Sequence, residues 1–273
     1  MPKQRLDSLL VDRALCESRQ QAQRLIQAGE VMVNQQVVDK AGTEVDINAT
    51  IDIKARSRFV SRGGEKLSKA LERFEIPVTD RVCLDGGIST GGFTDCLLQF
   101  GAQQVYGIDV GYGQVAWKLQ QDPRVILRER TNLRSLTPED LYAAEAPRPN
   151  LGVVDVSFIS LVKVLPALWA LLSEPREVVL LVKPQFEVGR ERIGKKGVVR
   201  DPKDQADAIA QVLAAAQALG WQYCGLTYSP ITGPAGNIEY LLWLSMQGLQ
   251  AAPGLEELRK LAQTARATLT ADT

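Results

Sequence analysis

The chain has 273 residues and carries 32 lysines and arginines against 32 aspartates and glutamates, so its formal net charge is zero. Its apolar fraction of 45% and charged fraction of 23% are typical of a soluble globular protein, which excludes a disordered, collagen-like or disulfide-stapled chain. The sequence contains no histidine, which excludes Ser-His-Asp and Cys-His catalysis and histidine-ligated metal sites. Acid–base chemistry must therefore come from carboxylates, lysine, cysteine or tyrosine.

Cysteine spacing and hydropathy indicate a cytoplasmic protein. The four cysteines lie far apart and form no CxxC pair, which argues against a zinc ribbon and predicts reduced thiols. The N-terminus has no signal-peptide core. The longest apolar stretch, residues 158–172, contains Lys163 and Pro166 and is shorter than the ~20 residues that a membrane-spanning helix needs. We therefore expect no membrane partner and a buried helix at residues 158–172.

The first fifty residues predict a small module of two helices and a short sheet. Leu6, Leu9 and Leu10 recur at helical spacing, and Ser18 is placed to cap a second helix. Strands are predicted at residues 31–33, 37–38 and 47–53. A unit of this size is typical of a binding module rather than of an enzyme.

Positive charge is concentrated towards the N-terminus. Residues 1–70 carry a net charge of +3 and residues 71–273 a net charge of −3, while the short segment 54–73 alone carries +5. Such a basic stripe is typical of a protein that binds a phosphate backbone. On charge alone, a solvated linker is the favoured alternative.

From residue 81 onwards, strand-like and helix-like segments alternate, which predicts a largely parallel sheet covered on both faces. The predicted strands are residues 81–85, 104–109, 124–127, 151–155, 177–182, 222–227 and 238–244. The predicted helices are residues 94–100, 114–121, 138–144, 161–172 and 203–219. We expect the last strand to run antiparallel, and we expect a ligand beyond the carboxyl ends of the parallel strands.

A glycine-rich loop follows the first of these strands at residues 85–93. Its glycines allow a tight turn close to a ligand, but their spacing does not match GxGxxG. Asp85 would repel a pyrophosphate and suit the cationic groups of S-adenosylmethionine, which disfavours an NAD-dependent dehydrogenase. Asp109 ends the second strand, where an acidic residue accepts hydrogen bonds from ribose hydroxyls. A tight turn that binds nothing is the alternative.

Two lysines and two carboxylates are predicted to meet beside this loop. Asp155 and Lys183 end two parallel strands, Glu239 begins the antiparallel strand, and Lys66 lies on a short helix before the first strand. A single lysine at a strand end more often just reaches solvent. Four such groups beside one loop indicate a site, because buried charges are costly unless they are paired.

Six motifs, taken in order, resemble the TlyA family of ribosomal-RNA 2'-O-methyltransferases, whose members are often labelled haemolysins. They lie at residues 62–67, 85–93, 109–114, 129–132, 155–160 and 183–187. The resemblance implies an α/β fold with a Rossmann-like, FtsJ-type methyltransferase domain of seven mostly parallel strands. It also implies a small α+β RNA-binding domain of the αL type. The expected division is residues 1–56 for the RNA-binding domain, 57–63 for a basic linker, 64–250 for the methyltransferase domain and 251–273 for a C-terminal helix or tail.

The resemblance also assigns roles to residues. The catalytic tetrad falls on Lys66, Asp155, Lys183 and Glu239. The cofactor S-adenosyl-L-methionine is expected at Asp85, Gly86, Gly87, Ser89, Thr90, Gly91, Gly92, Phe93, Asp109, Val110, Asn132 and Asp155. Independently of the resemblance, the N-terminal module, the basic junction and the basic loop at residues 189–203 supply the residues expected to contact RNA, which are Arg5, Ser18, Arg19, Arg24, Arg58, Arg62, Arg190, Lys195 and Lys196.

Methyl transfer to a ribose hydroxyl needs alignment of the reactants and one proton acceptor. We assign Lys183 as this base and Lys66 as the group that steadies the hydroxyl, with the opposite assignment left open. The loop at residues 189–203 that carries three of the RNA candidates is as well explained by a flexible solvated loop. Phe59 stands where the family usually has a linker tryptophan, so coupling between RNA and cofactor binding is in question here.

The expected substrate is cytidine in 16S rRNA, 23S rRNA or both, as free RNA or within ribosomal subunits. We expect a monomer that requires no metal. A non-catalytic RNA-binding or ribosome-assembly factor with the same fold is the main alternative. A pore-forming haemolysin is disfavoured, because the sequence has no spanning segment.

Overall fold

A computed structural model of the protein describes residues 2–27, 29–53 and 58–270. The chain divides into two units, residues 1–57 and residues 58–273. No helix among the described residues is long and apolar enough to cross a membrane.

The first unit packs two helices against short strands. Its elements are β1 (Lys3–Arg5), α1 (Leu6–Asp12), α2 (Arg19–Gln27), β2 (Val31–Val33), β3 (Gln36–Val37), β4 (Glu44–Asp46) and β5 (Ile51–Ile53). Leu6, Leu10 and Ile26 are fully buried and form the centre of its core. The Ser18 hydroxyl accepts the N–H of Gln21 at 3.3 Å, as expected for the residue that caps α2.

The strand expected at residues 47–53 is only partly correct. Within this range only residues 51–53 form a strand, β5, which pairs with β2; the preceding strand β4 ends at Asp46 and pairs with β1. Asp46 explains the break, because its carboxylate accepts the N–H of Asn48 at 2.8 Å and its carbonyl accepts the N–H of Ala49 at 2.9 Å. An aspartate that bonds to the backbone two residues on favours a turn over a continuous strand.

The second unit alternates strands and helices as the sequence predicts. Its elements are α3 (Gly63–Phe74), β6 (Val82–Gly86), α4 (Gly92–Gln99), β7 (Gln104–Ile108), α5 (Trp117–Gln120), β8 (Val125–Arg128), α6 (Pro138–Leu141), β9 (Leu151–Val154), α7 (Leu165–Leu171), β10 (Glu177–Val182), α8 (Pro184–Glu187), α9 (Pro202–Leu219), β11 (Gln222–Tyr228), β12 (Tyr240–Ser245) and α10 (Leu255–Thr270). The helices expected at residues 114–121 and 138–144 are each reduced to about one turn, α5 and α6.

The sheet of the second unit has seven strands in the order β11-β12-β10-β9-β6-β7-β8. β12 is antiparallel to both of its neighbours, and the pairs from β10 to β8 are parallel. The chain moves outwards from β6 to β7 and β8, and then returns to place β9 on the other side of β6. The carboxyl ends of β6 and β9 therefore mark the topological switch point, where ligands bind in open α/β sheets.

Both faces of this sheet are covered, which explains its long apolar strands. All four residues of β9 and all six of β10 are buried, since a strand packed on two sides cannot alternate polar and apolar residues. The C-terminal helix α10 packs against α9 and buries Leu258, Ala262 and Ala265 in the same core. α10 is thus part of the second unit rather than a free tail.

The buried helix expected at residues 158–172 is only partly correct. A 3-10 turn (Leu161–Lys163) and α7 follow one another from residue 161 onwards, and Leu165, Leu168 and Leu171 face the core. Phe158 is 92% exposed and has a φ of +65°. An apolar residue in that conformation, facing solvent, belongs to a loop rather than to the core.

Candidate active site

The glycine-rich loop between β6 and α4 passes close to its neighbours at two points. Gly87 has a φ of +89°, and a Cβ atom there would lie 2.5 Å from the carbonyl oxygen of Asp155. At Gly92 a Cβ atom would lie 2.8 Å from the N atom of Gly64 and would also strike Ser61. Only glycine fits these positions, so the loop lies directly against the loop after β9 and the start of α3.

Asp85 lies beneath this loop. Its side chain is fully buried, and its Oδ2 accepts the hydroxyl of Thr94 at 2.6 Å, while its Oδ1 has no hydrogen-bond partner. Burial raises the pKa of Asp85 to about 7, and the nearby carboxylates of Asp155 and Asp109 add to the rise. In this structure Asp85 therefore supports the loop through its hydrogen bond with Thr94 and does not face a cavity.

A cavity of about 460 Å³ lies at the switch point, between the loops that follow β6, β7, β8 and β9. This volume falls in the range of small-molecule sites. Asp109 lines the cavity, and its carboxylate accepts the backbone N–H groups of Ser89 at 2.8 Å and Gly111 at 2.7 Å. A carboxylate has about four acceptor positions. Asp109 therefore retains the capacity to accept further hydrogen bonds from a ligand.

A second cavity of about 220 Å³ shares Gly87, Ser89 and Asp155 with the first. Lys66 and Arg62 also line it. The second cavity therefore joins the glycine-rich loop to α3, and Asp155 faces both spaces.

The four charged residues form two ion pairs. The Lys66 ammonium lies 2.6 Å from Glu239, and both side chains are at least nine-tenths buried. The Lys183 ammonium lies 2.6 Å from Asp155 and also donates to the hydroxyl of Ser157 at 2.8 Å. Desolvated charges of this kind persist only when they are paired, so the pairs are built features of the fold.

The predicted cofactor residues divide into two groups. The residues that line one of the two cavities are Gly87, Ser89, Thr90, Gly92, Phe93, Asp109, Val110, Asn132 and Asp155. Among the described residues of the same prediction, Asp85, Gly86 and Gly91 line neither cavity and support the loop instead.

Two family models match the sequence: the S4 domain at residues 4–51 and the FtsJ-like methyltransferase at residues 59–246. The 16S/23S rRNA (cytidine-2'-O)-methyltransferase TlyA of Mycobacterium tuberculosis (strain ATCC 25618 / H37Rv) is 49% identical over 257 residues, which are 93% of this chain and 94% of that protein. The chain belongs to the TlyA family.

Other TlyA relatives carry a different name. Hemolysin A of Brachyspira hyodysenteriae is 40% identical over 237 residues, 87% of this chain and 98% of that protein. A haemolysin-named structure from Streptococcus thermophilus superposes with a TM-score of 0.74 at 42% identity and covers 98% of this chain and 97% of that chain. Fibrillarin from Aeropyrum pernix, with a TM-score of 0.50 at 13% identity over 79% of this chain and 94% of that chain, shares the methyltransferase fold.

In the S4 domain, two of the predicted RNA contacts are held by one carboxylate. Asp7 is fully buried and pairs with the guanidinium groups of Arg5 at 2.9 Å and Arg19 at 3.0 Å. The hydrogen bond from Arg5, with help from Gln23 and Arg19, holds the pKa of Asp7 well below its usual range. Both arginine side chains are half exposed, so Asp7 presents two guanidinium groups to solvent side by side.

The remaining RNA candidates are exposed and lie on both units. These residues are Ser18, Arg24, Arg58, Arg62, Arg190, Lys195 and Lys196. The Ser18 hydroxyl already caps α2, which gives that residue a structural role in the S4 domain.

The structure also reveals residues that sequence reasoning missed. Phe158 lies on the rim of the larger cavity, with its ring 5.4 Å from that of Phe186. Glu187 holds the Phe158 loop from behind, accepting the Ser160 hydroxyl at 2.5 Å and the N–H of Leu161 at 2.8 Å. Phe158, Phe186 and Glu187 fall in the motifs at 155–160 and 183–187, so the motifs were the available signal.

Proposed function

We propose that this protein transfers a methyl group from S-adenosyl-L-methionine to the ribose 2'-hydroxyl of a cytidine in ribosomal RNA. The observation that carries the proposal is the pair of buried lysine–carboxylate ion pairs beside the cavities at the switch point. The TlyA relative named for 16S and 23S rRNA cytidine 2'-O-methylation supports the choice of substrate. The S4 domain supports RNA as the partner.

The larger cavity has the chemistry of a cofactor site. Asp109 is placed to accept ribose hydroxyls, and Asn132 also lines the cavity. The backbone of the glycine-rich loop can approach a ligand closely at Gly87 and Ser89. When bound, S-adenosylmethionine supplies a methyl group activated by a sulfonium.

The two ion pairs supply the proton acceptor and the hydrogen-bond donor that methyl transfer also needs. In our assignment, Lys183 accepts the proton of the ribose hydroxyl, so its amine must be unprotonated in the reacting complex. Lys66 donates a hydrogen bond to the same oxygen and steadies the charge that develops on it. Asp155 and Glu239 hold the two amines in position. With no histidine in the chain, amines are the basic side chains available for this role.

In this proposal the protein contacts RNA through the RNA phosphates and through one base. Arg5, Arg19 and Arg24 of the S4 domain supply one set of phosphate contacts, and the basic residues of the methyltransferase domain supply another. Phe158, exposed on the cavity rim, offers a face on which the target base can stack once it leaves its helix.

The test is incubation of 30S subunits, 50S subunits and the corresponding naked RNAs with the protein and methyl-labelled S-adenosylmethionine, followed by mapping of the labelled nucleotide. We expect 2'-O-methylcytidine in 16S rRNA, 23S rRNA or both. Tight binding of rRNA and cofactor without any transfer would instead support the non-catalytic assembly factor. Label on a base rather than on a ribose would also refute the proposal.

A further inference from the structure

A basic turn on the methyltransferase domain is fixed by hydrogen bonds from side chains that lie outside the turn. Residues 194–199 form this turn and present Lys195 and Lys196, both exposed. Lys196 has a φ of +67°, a conformation that a lysine adopts only when its surroundings impose it. The buried end of the turn, at Val198 and Val199, therefore matters for how the two ammonium groups are presented.

Asn237 supplies the first of these bonds. Its side chain is 3% exposed, donates to the carbonyl of Gly197 at 2.8 Å and accepts the N–H of Val199 at 3.0 Å. Its own carbonyl accepts the N–H of Gly233 at 2.9 Å. One buried amide thus joins the basic turn to the segment that leads into β12.

Gln205 supplies the second connection. It is 2% exposed, donates to the carbonyl of Val199 at 2.8 Å and accepts the hydroxyl of Tyr240 at 2.6 Å. The N–H and the carbonyl of Val199 are therefore both hydrogen-bonded to buried side-chain amides. Through these amides the turn is bonded to Asn237 and to Tyr240, which stand on either side of Glu239 in the chain.

We propose that Asn237 is a positioning residue that fixes the basic turn relative to the Lys66–Glu239 ion pair, so that a phosphodiester of the RNA held by Lys195 and Lys196 sets the target ribose in place. This inference rests on the proposed function. It adds to that function a named residue that couples RNA contact to the catalytic pair. Removing the amide leaves the buried N–H of Val199 without a partner and releases the carbonyl of Gly197, which frees the turn.

A double-mutant cycle tests this coupling. Asn237→Ala should raise the KM and the Kd for rRNA about ten-fold, while the Kd for S-adenosylmethionine stays unchanged, since Asn237 lines neither cavity. Replacing both turn lysines with glutamine should raise the same two constants by a similar factor. Combining the changes should add little, because lysines on a free turn no longer hold the phosphate in place.

Two further variants serve as controls for the double-mutant cycle. Asn237→Asp keeps an acceptor for the N–H of Val199 and should retain a folded protein if Asn237→Ala does not. Lys260→Gln removes an exposed charge on α10 and should leave both constants unchanged in either background. Fully additive effects of the Asn237 and lysine changes, in a protein with wild-type thermal stability, would overturn the inference.

The cycle separates this inference from the proposed function. Because the Kd for rRNA is measured beside the KM, a wild-type protein that binds rRNA but transfers no methyl group would refute the proposed function alone. In that case non-additivity in the Kd would still support the coupling through Asn237. Absence of rRNA binding by the wild type would overturn both.

Discussion

Burial of Asp85 beneath the glycine-rich loop makes folding stability depend on pH. Its pKa is about 7 in the folded protein and near 4 in an unfolded chain. The folded state therefore binds the proton more tightly. The resulting stabilisation is fully present below about pH 4 and is lost as the pH rises through about 7.

Replacing this carboxyl group should remove that dependence. Asp85→Asn keeps an oxygen that can accept the Thr94 hydroxyl and does not titrate. Relative to the wild type, the variant should gain about 2–3 kcal/mol in free energy of unfolding between pH 5 and pH 8. Urea unfolding of both proteins at the two pH values measures this. An equal difference at pH 5 and pH 8 would contradict the account.

Sequence alone could place the charged residues of the site but not the residues that orient them. Asp109, Asp155 and Lys183 follow strands whose carboxyl ends must meet at one edge of a parallel sheet, so the prediction needed only the strand pattern. Phe158 and Asn237 were missed for a different reason. A positive φ and a bond from one loop to another depend on tertiary contacts that no local pattern records.

A buried charge cluster joins strands at the opposite end of the sheet, and its residues line neither cavity of the candidate site. Arg81 precedes β6, donates to the side chain of Asn150 at 2.7 Å and pairs with Glu177 at the start of β10. Glu177 also accepts the indole N–H of Trp243, from β12, at 2.7 Å. Because Asn150 directly precedes β9, these bonds join the starts of β6, β9 and β10 to β12.

Glu177→Ala should therefore destabilise the protein by about 3–5 kcal/mol, because it leaves a buried guanidinium without its counter-ion. The matched control is Asp122→Ala, which breaks an ion pair with Arg124, whose side chain is 45% exposed. This change should lower the free energy of unfolding by less than about 1 kcal/mol. Chemical denaturation of the two variants and the wild type measures both values. A similar loss in the two variants would show that the Glu177 cluster is not a structural clamp.

At the level of elements, predictions were accurate where burial dictated the pattern. The strand at residues 177–182 was predicted to the residue, because an apolar run covered on both faces has clear ends. Errors arose where a single polar bond interrupts an otherwise strand-like segment, as at Asp46, or where an apolar residue faces solvent, as at Phe158. Both need contacts that hydropathy does not record.

For the whole molecule, composition and motif order agree with the assembled structure. An S4 domain and an FtsJ-like methyltransferase domain follow one another, as the resemblance implied. The absence of histidine excludes imidazole bases, and the fold brings two lysines beside the cavities in their place. Some relatives are named haemolysins, but the described part of this chain contains no helix that is long and apolar enough to span a membrane.

The central claim is that Lys183 takes the proton of the ribose hydroxyl. It is tested most directly by comparing Lys183→Ala with Lys163→Ala, which removes an exposed lysine that lines neither cavity. The account predicts that both variants bind S-adenosylmethionine as the wild type does. Only Lys183→Ala should lose single-turnover methyl transfer, by about 10²–10⁴-fold, because a positioned base contributes a factor of that size. A transfer rate for Lys183→Ala close to that of Lys163→Ala would contradict it.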